Sequence, residues 1–138
     1  MARIIGGKAH AARLKRIRSS AMVREVGKAV YAAADYLSTE AALSITQGAV
    51  SGKNHVPSRP GEPPNADTHV LDRSIRTEKT GPLTAVSSAS APYAAGLEFG
   101  TSKVAERPFM RPAAAKTREQ ARKLVRAAVK RVVEGGTL

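Results

Sequence analysis

Cysteine is absent from the 138-residue chain, which rules out disulfides, thiolate nucleophiles and cysteine-built zinc sites but leaves the redox compartment open. Aromatic residues make up only 4%, so there is little to stack on nucleic-acid bases. Acids are the third shortage: 11 Asp and Glu stand against 23 Lys and Arg, a net charge of +12. Such a balance points to a polyanionic or acidic neighbour: nucleic acid, an anionic surface or a negatively charged protein. No stretch approaches the ~20 apolar residues of a membrane span. The opening Met1-Ala2-Arg3-Ile4-Ile5-Gly6-Gly7 is too short in apolar length for a secretory signal. The expectation is a soluble protein made in a cytoplasm, with no membrane partner.

Catalytic constellations are missing too. His10, His55 and His69 are scattered, with no i, i+4 pair of the kind a helical metal site needs. Ser87 and Ser88 lie in an apparent strand without a nucleophile elbow. No two acids stand out as a general acid and base, and neither common glycine-rich phosphate loop occurs. The chain is expected not to be an enzyme and to need no cofactor or metal. Without a zinc finger, an aromatic RNA-binding signature or a basic zipper, any nucleic-acid contact would be with phosphates, not with sequence.

What remains is one domain's length of chain, 42% hydrophobic, with much of that fraction alanine. Alanine buries little area, so the core should be thin and some stability should come from neighbouring subunits. Residues 1–18 form either a flexible basic arm that orders on a partner or a short surface helix. Lys8, Arg13, Lys15, Arg16 and Arg18 supply its charge, and Leu14 and Ile17 offer one anchoring face. A single domain is expected over 19–134, followed by a short tail over 135–138. Ser19-Ser20 provides a helix cap. From Met22 to about Gln47, Val26, Val30, Ala34, Leu37, Ala41 and Ile45 recur at helical spacing, widened by Val23 and Ala33. Gly27 interrupts this run where another element can approach closely, and Gly48 stops it.

A Gly-, Pro-, Ser- and Asn-rich loop follows over Ser51 to Asn65, a length that is usually functional or disordered. Asp67 or Thr68 is placed to cap a short helical turn through Leu71 and Arg73. Ser74 to Lys79 and Leu83 to Ala89 alternate in polarity about Gly81-Pro82, the pattern of a β-hairpin. Tyr93 to Phe99 reads as a short helix ended by Gly100, Thr101 to Glu106 as an exposed loop, and Arg107 to Met110 as a third strand. The last helix starts near Pro112, a residue tolerated in a first turn. It runs to about Glu134, stops at Gly135-Gly136, and carries Arg118, Arg122, Arg126 and Lys130 at four-residue intervals. The class is α+β: a long N-terminal helix, a small antiparallel sheet with a short helix, and a long C-terminal helix packed on the sheet.

Four motifs stand in order through the middle of the chain. They are Pro57-Ser58-Arg59-Pro60-Gly61-Glu62-Pro63-Pro64, Asp67 to Ile75, Tyr93 to Thr101, and Arg107 to Ala113. In residues and intervals they resemble the gene-product-ten-like family of tailed bacteriophages, the neck or tail-completion proteins of HK-type siphophages and related prophages. His69 stands where that family usually has glycine. If the glycine serves a positive φ, histidine can adopt the same region at modest cost.

The resemblance implies a structural virion protein at the head–tail junction, assembled as a hexameric ring between the capsid connector and the tail tube. Its partners would be further copies of itself, neighbouring neck, connector and tail-tube proteins, and packaged DNA through non-specific contact. Pro57 to Pro64 and Thr101, Ser102 and Lys103 are the expected contacts to neighbouring subunits or rings. Tyr93, Leu97, Glu98, Phe99, Gly100, Pro108 and Phe109 are expected to secure the core and a tight turn, with Phe99 packed inside. Arg107 and Arg111 flank Pro108-Phe109; Arg107 is expected to pair with a nearby carboxylate, Glu98 among the candidates, and for Arg111 that pairing is left open. The basic arm and the Arg118, Arg122, Arg126 and Lys130 face are candidates for DNA or for acidic partner rings. The alternative is a basic DNA-binding accessory protein without catalytic activity.

Overall fold

In the computed structural model, which describes residues 5–135, the chain is mixed helix and strand. The first residues of the expected arm and the end of the expected tail lie outside that range. A short helix α1 (Gly7–Ile17) leads into the long α2 (Ser20–Thr46). After the loop come one turn of helix, α3 (Val70–Arg73), and the hairpin β1 (Ile75–Gly81) and β2 (Thr84–Ala89). Then follow α4 (Ala94–Phe99) and the long α5 (Met110–Val133).

Helix α2 starts where the serine predicts: Ser19 Oγ accepts a hydrogen bond from the Met22 N–H at 3.3 Å. It ends just before Gly48, whose φ of 74° only glycine adopts freely. Its apolar stripe faces two partners. The sheet lies across part of it, and α5 returns antiparallel along its length, so that Ala113 near the start of α5 shares a core with Ile45 near the end of α2. Lys116 of α5 pairs with Glu40 of α2 at 2.6 Å. That hydrogen bond, with the Glu40 charge behind it, raises the Lys116 pKa.

The sheet is held to α2 by hydroxyl groups. Thr77 and Ser87 face each other across the antiparallel pair, and Ser38 Oγ of α2 lies 2.7 Å from both of their hydroxyls. Thr77 also donates to Asp35 at 3.1 Å. At the turn, the Pro82 carbonyl oxygen occupies the space that a Cβ on Gly27 would need, so Gly27 is the close-approach position its place in the sequence suggests. The expected core is thin: Ala41, Ile45, Ala66, Leu71, Ala91, Ala94, Phe109 and Ala113 form it, and only three of these are larger than alanine.

Four local expectations need correcting. Arg107 to Met110 is not a strand; the chain stays irregular to Pro108 and α5 begins at Met110. Asp67 and Thr68 do not cap α3. The N-cap is His69, at φ 61°, and the Asp67 carboxylate instead accepts from the Gly52 N–H at 2.9 Å. Leu14 and Ile17 stay exposed, because α1 is fixed by its end and not by its face: Arg16 Nε donates to the Val133 carbonyl at 2.9 Å. Val23 is exposed as well, while the polar Glu25 and Ser38 are buried on α2.

Candidate interaction site at the loop end

The four sequence motifs meet at one end of the molecule around one cavity, and a single carboxylate joins the third to the fourth. Glu98, only 5% exposed, projects from α4 into the first turn of α5. Its Oε2 accepts from the backbone N–H groups of Phe109 (2.8 Å) and Met110 (2.9 Å). Its Oε1 accepts from the Arg111 N–H and from Arg111 Nε, both at 2.9 Å. A helix start leaves such N–H groups without intrahelical partners and carries a partial positive charge. Phe109, the N-cap, has no side-chain acceptor, so Glu98 supplies the cap from another element. Burial is the largest single influence on Glu98 and opposes ionisation. The three backbone hydrogen bonds and the Arg111 guanidinium together outweigh it and hold the pKa below the usual carboxylate value.

Arg111 completes the arrangement. Besides Glu98, it donates to Glu106 at 3.1 Å, and its guanidinium lies 5.2 Å from the Phe99 ring centroid. Hydrogen bonds to Glu106 and then Glu98 raise its pKa. Arg111 therefore pairs with two carboxylates, the arrangement expected of Arg107. Arg107 does not: Arg107 Nε donates to the Ser58 carbonyl at 3.2 Å, and its N–H to the Leu97 carbonyl at 2.6 Å. The two loops are tied directly as well, by the Gly61 N–H donating to the Glu106 carbonyl at 2.9 Å. Gly100, at φ 75°, lets the second loop fold back; a Cβ there would lie 3.0 Å from the Glu106 nitrogen.

Of the residues expected to meet neighbours, Pro57, Arg59, Pro60, Gly61, Glu62, Thr101, Ser102 and Lys103 are exposed. Pro63 is half-buried, and Ser58 and Pro64 are buried. Of the expected core set, Phe109 is 1% exposed and Leu97 and Pro108 are half-buried. Phe99 overturns its assignment: it is 68% exposed, and Tyr93 is exposed too. On a six-residue helix, directing Glu98 inward turns its neighbour about 100° away, toward solvent. Val56, Val70 and Val104 add further exposed apolar side chains to this end. A cavity of about 350 Å³ opens among Pro57, Ser58, His69, Asp72, Tyr93 and Arg107. Two atoms of residues lining it, Ser58 Oγ and Asp72 Oδ1, are buried without a hydrogen-bond partner.

The basic residues divide. Lys8, Arg13, Lys15, Arg18, Arg118, Arg126 and Lys130 are exposed and pair with no carboxylate among the described residues. Arg122 pairs with Glu119 at 3.0 Å. Arg16 is half-buried and engaged with α5, so it is not free for DNA. Among the described residues no three of His, Cys, Asp and Glu are grouped to hold a metal, and no helix is long and apolar enough to cross a membrane. No family model, curated protein or solved structure matches the chain. The capping role of Glu98 and the Ser38 hydroxyl relay had no signal in the sequence beyond a lone acid and a lone serine.

Proposed function

We propose that the protein is a structural component of a tailed bacteriophage or prophage, forming a ring at the head–tail junction that joins the capsid connector to the tail tube around the DNA. The observation that carries this reading is the loop end. Two loops locked to each other and to α5 present exposed aromatic and aliphatic side chains beside a cavity of about 350 Å³. Clustered exposed apolar residues mark interaction surfaces. A neighbouring subunit or ring supplies the cover for such a surface. The order of the four motifs, resembling neck proteins, gives that neighbour its identity.

Negative-stain microscopy and native mass spectrometry of the purified chain test the proposal, together with antibody labelling of the virion. Rings in the pure sample and label between capsid and tail are expected. A chain that stays monomeric at all concentrations, with unlabelled virions, refutes it. The second reading, a DNA-binding accessory protein, draws on the unpaired cations Arg118, Arg126 and Lys130 exposed on α5. It requires duplex affinity that falls steeply as salt rises.

A further inference from the structure

Away from the loop end, an open groove of about 660 Å³ runs between α2, β2 and α5. Val30, Ala34 and Leu37 line it from α2, Ala85 from β2, and Ala114 and Ala121 from α5. Arg118 and Arg122 also line it, and Arg126 continues their four-residue ridge along α5. The groove is thus apolar with a cationic border.

The two features together select an occupant. An apolar lining such as this is covered by large aliphatic or aromatic side chains, which a nucleic-acid backbone does not carry. Four-residue spacing places the cations about 6 Å apart along the axis, and acids spaced i, i+4 on a second helix repeat at the same interval. The ridge formed by such residues is also the one against which helices commonly pack.

A second copy of this chain is a poor occupant of this groove, because it offers few acids to the cationic border, 11 against 23 cations. The acids of its long helices are also largely committed: Glu25 is buried, Asp35 accepts from Thr77, Glu40 holds Lys116 and Glu119 holds Arg122. We infer that the groove docks an acidic amphipathic α-helix of a different protein, its large apolar side chains seated over Ala34, Ala114 and Ala121 and its carboxylates on Arg118 and, further along the same ridge, Arg126. This holds whether or not the protein forms a ring.

The test is selection of binders to the full chain from a displayed library of helical peptides with randomised surface positions. Counter-selection uses Ala114→Glu, a substitution at an exposed helix position that places a negative charge in the groove. Enriched sequences should carry apolar residues at i, i+3/i+4 and i+7 flanked by Asp or Glu. Ala114→Glu and Arg118→Glu should each weaken them at least tenfold while thermal unfolding stays that of the parent. The inference is overturned by enrichment without acids, by strand-patterned sequences, by binders that ignore both substitutions, or by no enrichment. It is also overturned if a DNA duplex displaces the peptides and loses affinity equally in both variants, which would make DNA the occupant.

Discussion

Replacing Glu98 with glutamine isolates the charge of the α5 cap while nearly preserving its shape. The amide keeps one oxygen, which can serve some of the donors now shared between Oε1 and Oε2, and turns an NH₂ toward the rest. The Phe109, Met110 and Arg111 N–H groups and Arg111 Nε all point at this carboxylate. Hydrogen bonds to a charged acceptor contribute about 1.5–3 kcal/mol each against about 1 for neutral ones. The charge at the helix start adds roughly 0.3–1 kcal/mol. Arg111 is half exposed, and solvent screening reduces its share. A net loss of about 2–4 kcal/mol at pH 7 follows for Glu98→Gln, in the range of a broken buried network. For a chain of this size that lowers Tm by roughly 6–14 °C.

The pH dependence gives a second, independent reading. The folded pKa of Glu98 is depressed, so in its window the unfolded chain binds more protons and stability rises with pH. The contribution is complete above the unfolded value of about 4.3 and is lost as pH falls through the lower folded value. Urea unfolding of the parent and Glu98→Gln, followed by circular dichroism from pH 7 downward, should show a constant gap that narrows below about pH 4.5. A variant within about 0.5 kcal/mol of the parent at pH 7, the scatter of ordinary surface substitutions, refutes the capping argument. So does a gap that persists unchanged into acid.

Two further substitutions probe the packing. Gly27→Ala gains up to about 1 kcal/mol of helix propensity but drives a methyl into the Pro82 carbonyl; a net loss of roughly 1–2 kcal/mol, the scale of overpacking, is expected in chemical denaturation. The two phenylalanines should behave oppositely: Phe109→Ala should lose about 3–5 kcal/mol. Phe99→Ala should stay within about 0.5 kcal/mol of the parent in stability while weakening self-association under the ring proposal. Equal losses in stability would contradict the placement of both rings.

The long helices were legible because α2 spans enough turns for its period to show, with Ser19 and Gly48 marking its ends. The hairpin was legible because alternation of polarity maps directly onto the two faces of a strand. The short α4 was placed but not oriented, since six residues make fewer than two turns. Glu98, reaching a helix that starts twelve positions later, decides which way it faces. That is a tertiary contact and leaves no local trace, which is why Phe99 was assigned the interior and only Phe109 is there. The supposed third strand fails for the same reason: the Phe109 and Met110 N–H groups are spent on the Glu98 carboxylate and the Arg107 N–H on the Leu97 carbonyl, leaving no ladder. His69 takes a φ of 61°, the left-handed region that glycine adopts freely and histidine at modest cost.

One carboxylate therefore makes the loop end and α5 a single mechanical part. At 24 residues the helix is a strut about 36 Å long. Its near end cannot separate from the loops without uncapping, and its far end is clasped by Arg16 of α1. The loop end and the basic helix α1 are thus tied to opposite ends of one continuous helix, so a displacement at either is felt by the other through α5.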